Sequence, residues 1–157
     1  MSKSSKSRRS DFSSGGATSA AVRLDLKIAQ SLSDFFAKNK DKMLAGNLSG
    51  YLNELVAKKN LVIADVVKDS GLEKAYVYQI FDGKRKNPSR DKMIAIAFGM
   101  RLNEEETQRM LKLAGHRELY PRIARDAAIL FAIQRGMSIR KADRKLFDNG
   151  LKTILPE

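Results

Sequence analysis

Apolar residues return every three or four positions through most of this chain, the spacing that lines one face of an α-helix. Leu24, Ile28, Leu32, Phe35 and Phe36 predict one long helix over Ala20–Lys38. Gly46-Asn47 predicts a break, followed by a helix from Leu48 to Asn60 with Leu48, Leu52, Leu55 and Val56 on one side. Ile63–Lys68 reads as a short helix stopped by Asp69-Ser70-Gly71, and Glu73–Phe81 as another closed by Asp82-Gly83. After the loop Lys84–Pro88, Ser89 is a suitable N-cap for a helix Arg90–Gly99 with a buried stripe of Met93, Ile94, Ala97 and Phe98. Asn103 caps a helix opening on Glu104-Glu105-Glu106, acids where the helix dipole favours them, and that helix ends at Gly115. Beyond Tyr120-Pro121 the pattern predicts helices over Arg122–Arg135 and Ser138–Asn149. No stretch alternates with period two, so the expected class is all-α.

The second half repeats itself. A shift of 35 residues aligns Arg90 with Arg125, Asp91 with Asp126, Ile94 with Ile129, Ala97 with Ala132, Leu111 with Leu146 and Gly115 with Gly150. The cap Asn103 falls on Ser138. Two readings stay open: tandem helical hairpins stacked on each other, or two hairpins that share start and stop residues by chance. Ile129, Leu130, Ile133, Leu146, Phe147 and Leu151 give the last hairpin an apolar face that needs cover.

Leu61–Gly83 has the makings of a helix-turn-helix. Gly71 suits the tight turn, and Val66, Val67, Leu72, Val77 and Ile80 fall on the side facing supporting helices. The outward side of the second helix keeps Lys74, Ala75, Tyr78 and Gln79, with Tyr76 near the edge. Lys can reach guanine acceptors, Gln can pair with adenine, and Ala leaves room beside a thymine methyl.

With the loop Lys84-Arg85-Lys86-Asn87-Pro88-Ser89, this segment resembles the phage-repressor-like (Cro/XRE) helix-turn-helix family over roughly residues 47–115. The resemblance implies a five-helix lambda-repressor-like DNA-binding domain. It also implies base-facing residues Lys74, Ala75, Tyr78 and Gln79, and phosphate contacts from Lys84, Arg85, Lys86 and Asn87. Three positions depart from the family's pattern. Ile63 stands where Gln is common, Ser70 where an apolar residue is usual, and Glu73 is an acid at the start of the recognition helix.

Charge strengthens the nucleic-acid reading. The 157 residues carry 30 Lys and Arg against 18 Asp and Glu, a net charge of +12 that favours polyanionic partners. The excess is concentrated in residues 1–20, in residues 74–90 (five basic, one acidic) and in residues 117–157. Residues 1–19, rich in Ser, Gly and basic side chains, are expected to form a disordered tail. The expected layout is that tail, an N-terminal helix over 20–46, the helix-turn-helix domain over 47–115 and a C-terminal helical hairpin over 116–157 packed on it.

The chain has no Cys and a single His, His116, so neither a thiolate nucleophile nor a metal site is expected. Nor does it carry a phosphate-cradling glycine loop or a serine-centred nucleophile motif. The expectation is therefore a non-enzymatic regulator of transcription, without cofactor, cytoplasmic and not membrane-bound, that binds double-stranded DNA. Dimer contacts could come from the N-terminal helix or the C-terminal hairpin. The alternative is a helical interaction module that keeps the DNA-binding fold but engages a protein partner through the C-terminal hairpin and its basic set Arg135, Arg140, Lys141, Arg144 and Lys145.

Overall fold

The computed structural model describes residues 19–156, and among them every regular element is helical. The elements are α1 (Ser19–Ile28), α2 (Leu32–Asn39), a 3-10 turn (Lys40–Lys42), α3 (Leu44–Lys58), α4 (Ile63–Ser70) and α5 (Lys74–Phe81). Then follow α6 (Arg90–Met100), α7 (Glu104–Leu113), α8 (Ala124–Gln134) and α9 (Ile139–Asp148). The tail expected over residues 1–19 lies outside the described residues except for Ser19, which begins α1. None of these helices is long and apolar enough to cross a membrane.

Two boundaries correct the sequence reading. The long helix over Ala20–Lys38 is two helices, because the Ser31 hydroxyl accepts the Asp34 backbone N–H at 3.0 Å and starts a new one. Conversely, α3 runs through Gly46-Asn47. A glycine inside a helix costs only about 1 kcal/mol, and the buried Leu48, Leu52 and Leu55 of the same helix outweigh it. The stripe expected in the N-terminal segment is also largely uncovered. Phe35 is buried, while Leu24, Ile28, Leu32 and Phe36 are exposed.

Compact packing divides the chain after Asn47. In the first unit α1 contacts α2, and Lys38 donates to Asp25 at 3.2 Å. The second unit, Leu48–Glu157, is built around α6. Every residue from Met93 to Met100 is buried, where the pattern predicted only a stripe. A helix that is apolar all round must be surrounded, and α6 is contacted by α4, α7 and α9. At Gly99 α4 packs so near that a Cβ would lie 2.8 Å from both the Val66 carbonyl oxygen and the Ser70 Cβ.

Ser70 is fully buried at this crossing. Its hydroxyl donates to the Val67 carbonyl at 3.1 Å and accepts the Leu72 backbone N–H at 3.2 Å. A bulky apolar side chain would not fit against α6 here, which is the physical reason the position suits Ser. α3 is tied to α7 through Glu106. The Tyr51 hydroxyl donates to the Glu106 carbonyl at 3.2 Å, and Lys59 reaches the Glu106 carboxylate at 3.0 Å. Burial pushes the Tyr51 phenol up to about 12, so it stays a donor. Burial alone would raise the Glu106 carboxyl, but the Asn103 backbone N–H and Lys59 outweigh it and hold it below its usual range.

The 35-residue correspondence is structural, and the hydrogen bonds repeat with it. Leu102 N–H donates to Ala97 at 3.0 Å, as Met137 N–H does to Ala132. The side chain of Gln108 accepts Leu119 N–H, as the side chain of Asp143, 35 residues on, accepts Ile154 N–H. Arg90 donates to the carbonyls of Arg117 and Glu118, and Arg125 to those of Lys152 and Thr153.

The two copies also clasp each other. Arg90 forks onto Asp126 at 3.1 and 3.0 Å, and Arg125 forks onto Asp91 at 2.9 and 3.1 Å. This exchange of partners is what a local two-fold relation produces. Ile129, Leu130, Ile133 and Leu146 are buried as the apolar face required, but Phe147 is 62% exposed. It sits on the outer side of α9, one residue past the buried position occupied by Leu146.

Candidate nucleic-acid interface

α4 and α5 are joined by a turn that fixes how α5 is presented. Gly71, at φ 75°, closes α4, and Glu73 is extended and begins α5. Val66, Leu72, Val77, Ile80 and Phe81 are buried beneath the pair, while Val67 is half-buried. Glu73 makes no side-chain capping bond, so its carboxylate stands exposed at the start of α5 with no local role to absorb its charge.

Of the four base-facing candidates, Lys74, Ala75 and Tyr78 are exposed and Gln79 is half-buried. The Lys74 ammonium lies 5.8 Å from the Tyr78 ring centre. The loop candidates Lys84, Arg85, Lys86 and Asn87 are all exposed. Their backbone is fastened to the end of α5, since Lys84 and Arg85 N–H both donate to the Gln79 carbonyl, at 3.0 and 3.1 Å. Lys84 N–H also donates to the Asp82 carboxylate at 2.9 Å.

Gln79 and Arg85 are brought into direct contact, with the guanidinium donating to Gln79 Oε1 at 2.8 Å. The far end of the loop is held as well. Pro88 is buried, and its carbonyl accepts the Nε2–H of His116 at 2.7 Å, which gives the single histidine a structural place.

Sequence reasoning missed two cationic members of this surface, Lys92 and Lys152, and placed Tyr76 only near its edge. The half-buried Tyr76 ring lies between Arg85, at 4.4 Å, and Lys92, at 5.1 Å. Such stacking on an aromatic face positions a cation without neutralising it. Lys152, 80% exposed, reaches Asp91 at 3.8 Å in the first turn of α6. Lys92 carried a signal, being one turn beyond the loop, but Lys152 arrives only through the folding of the C-terminal segment against α6.

α5, the loop, the first turn of α6 and Lys152 together make a surface of exposed cations, aromatic rings and one amide, with Glu73 and Asp82 as its exposed acids. Such a surface suits a polyanion held by its phosphates. Among the described residues no three His, Asp or Glu side chains gather as a metal site would need. No family model, no curated protein and no solved structure matches this chain.

Proposed function

We propose that this chain is a transcriptional regulator that binds double-stranded DNA, with α5 as the reading helix in a five-helix, phage-repressor-like arrangement of α3–α7. The observation that carries the reading is the coupling of α5 to the basic loop. Arg85 bonds Gln79 and stacks on Tyr76, so the groups expected to touch bases and those expected to touch phosphates form one preorganised surface. Arg85 occupies one of the two lone pairs of Gln79 Oε1, so a bidentate contact with adenine must use the other, while both amide N–H groups stay free for an acceptor such as guanine N7. Selection from a random duplex library against the full chain tests the reading. Enrichment of a motif supports it, and uniform recovery at every salt concentration removes it.

The loop should dominate the electrostatics. Changing Lys84, Arg85 and Lys86 together to Ala is expected to flatten the slope of log affinity against log salt by about 2.7 if each neutralises one phosphate. Titrations of a labelled duplex at several salt concentrations measure this directly, and an unchanged slope means the loop does not touch DNA.

Specificity should reside in α5 itself. Gln79→Ala is expected to cost about 1–3 kcal/mol at the selected site while leaving random duplex nearly unaffected. Because the substitution also frees Arg85, the preferred base at one position should change as well as weaken. Equal loss on selected and random duplexes would reduce Gln79 to a holder of the loop.

A further inference from the structure

Three turns of the same kind converge on one groove. Gly71 ends α4, Arg101 ends α6 and Gly136 follows α8, with φ of 75°, 56° and 64°, each followed by an apolar residue and then by the N-cap of the next helix. All three line an open groove of about 1010 Å³. Its floor includes Phe98, Ile133, Met137 and Leu155, and the exposed Phe147 stands on one wall. Lys68, Arg101, Arg140 and Arg144 supply cations from α4, the end of α6 and α9.

The two acids of the groove are already engaged. Asp143 accepts the backbone N–H groups of Ile154 and Leu155, and Asp69 lies 3.6 Å from Arg101. Arg144 also meets Asp148, at 3.3 Å on exposed side chains. The groove therefore offers an apolar floor together with an excess of cations, four against two acids in its lining.

Arg101 is the telling residue. Its counterparts in the other two turns are glycines, which take a left-handed backbone freely, whereas an arginine there is strained. The fold would be better served by glycine. The side chain, 75% exposed, makes only a long contact to Asp69. A strained residue kept at a groove wall points to use of its side chain.

We propose that this groove binds an acidic segment of a partner protein whose carboxylates alternate with apolar side chains. The cations come from three separate elements, so several carboxylates along a segment match them where a single anionic group would not. The apolar floor and Phe147 would remain uncovered beneath a nucleic-acid backbone, but they match the anchors of an amphipathic peptide. The proposal does not depend on DNA binding, since neither α5 nor the basic loop lines the groove.

The experiment is a selection of random 16-residue displayed peptides on the immobilised full chain, with anisotropy titration of a labelled winner. Peptides rich in Asp, Glu, Leu and Phe are expected to be enriched. Arg101→Gly should weaken the winner at least tenfold while leaving the unfolding temperature unchanged or raised, because the turn is relaxed. Arg144→Glu and Phe147→Ser, both on exposed side chains, should weaken it to a similar degree. Enrichment of no peptides or of basic ones overturns the proposal, as does binding within threefold of the parent chain in both Arg101→Gly and Phe147→Ser. Displacement of the peptide by duplex DNA assigns the groove to nucleic acid, and binding of dodecanoate with no peptide enriched assigns it to small anions. Either result also overturns the proposal.

Discussion

Asp126→Asn is expected to destabilise the protein by about 3–5 kcal/mol at neutral pH. Asp126 is 1% exposed and accepts four hydrogen bonds: two from Arg90, one on each oxygen, one from Arg117 at 2.9 Å and one from the Tyr120 backbone N–H at 3.0 Å. An asparagine keeps the shape but leaves two guanidinium groups facing a neutral amide, one of them only 15% exposed. It also turns a donor NH₂ toward groups that can only donate. Removing one partner of a buried charge cluster costs more than the cluster itself contributes. Arg90 retains its bonds to the carbonyls of Arg117 and Glu118, which places the expectation nearer the lower end. Asp91→Asn, at the reciprocal pair, should cost less because Asp91 is 26% exposed and water replaces part of the loss.

The same cluster sets a pH dependence. Burial alone would raise the Asp126 carboxyl above its usual 3.8, but Arg90, the Tyr120 N–H and Arg117 outweigh burial and leave it lowered. A carboxyl lowered on folding contributes stability above its unfolded value and loses it as pH falls through the folded one. Urea denaturation should therefore show the full gap between the parent chain and Asp126→Asn from pH 5 to 7, narrowing as the pH drops below about 4. A gap that does not change with pH would mean that the loss comes from packing and not from charge.

The extent to which this fold was legible in the sequence follows from the range of the forces involved. N-caps act within one turn, so Ser89, Asn103 and Ser138 could be read directly, and each accepts a backbone N–H three residues on. Apolar spacing located the helices from α4 to α9 to within a few residues for the same reason. At the N-terminal end the apolar rhythm continued unbroken across Ser31, and one local hydrogen bond overrode it.

The contacts that build the second unit were not legible. Arg90, Asp91, Arg125 and Asp126 stood out only as repeated letters at helix starts, where charges are usually solvated. Their exchange of partners joins residues 34 and 36 apart and depends on how the hairpins turn toward each other. The outward residues of α5 could be named in advance. The Gln79–Arg85 bond and the Lys92–Tyr76 contact could not, because both depend on the path of the loop.

Gly99→Ala is expected to lower stability although alanine is the better helix former. In an exposed helix the exchange would stabilise by about 1 kcal/mol. At Gly99 the new methyl would lie 2.8 Å from the Val66 carbonyl oxygen, 2.8 Å from the Ser70 Cβ and 3.1 Å from the Ser70 backbone nitrogen. Two of those neighbours are backbone, so no side-chain rotation relieves them and α4 must move away from α6. Overpacking of this kind typically costs about 1–3 kcal/mol, and the rigid backbone on the far side places the net result on the destabilising side. Gly50, in α3, supplies the control. Nothing lies within 4 Å of its added Cβ, so Gly50→Ala should stabilise by up to about 1 kcal/mol.

Thermal unfolding of the two variants should thus move in opposite directions for one chemical change, with Gly99→Ala lowered by up to roughly 8 °C. The displacement also reaches α5. Ser70 lies at the crossing and caps Leu72, and Leu72 leads into α5, so moving α4 shifts the N-terminal end of α5 that carries Lys74 and Ala75. If α5 reads DNA, Gly99→Ala measured well below its unfolding temperature should lose affinity for a selected duplex more than for a random one. The basic loop Lys84–Asn87 hangs from the other end of α5 and from His116, and neither needs to move. A variant that unfolds earlier yet keeps the full ratio of selected to random affinity would show that α4 can shift without disturbing α5.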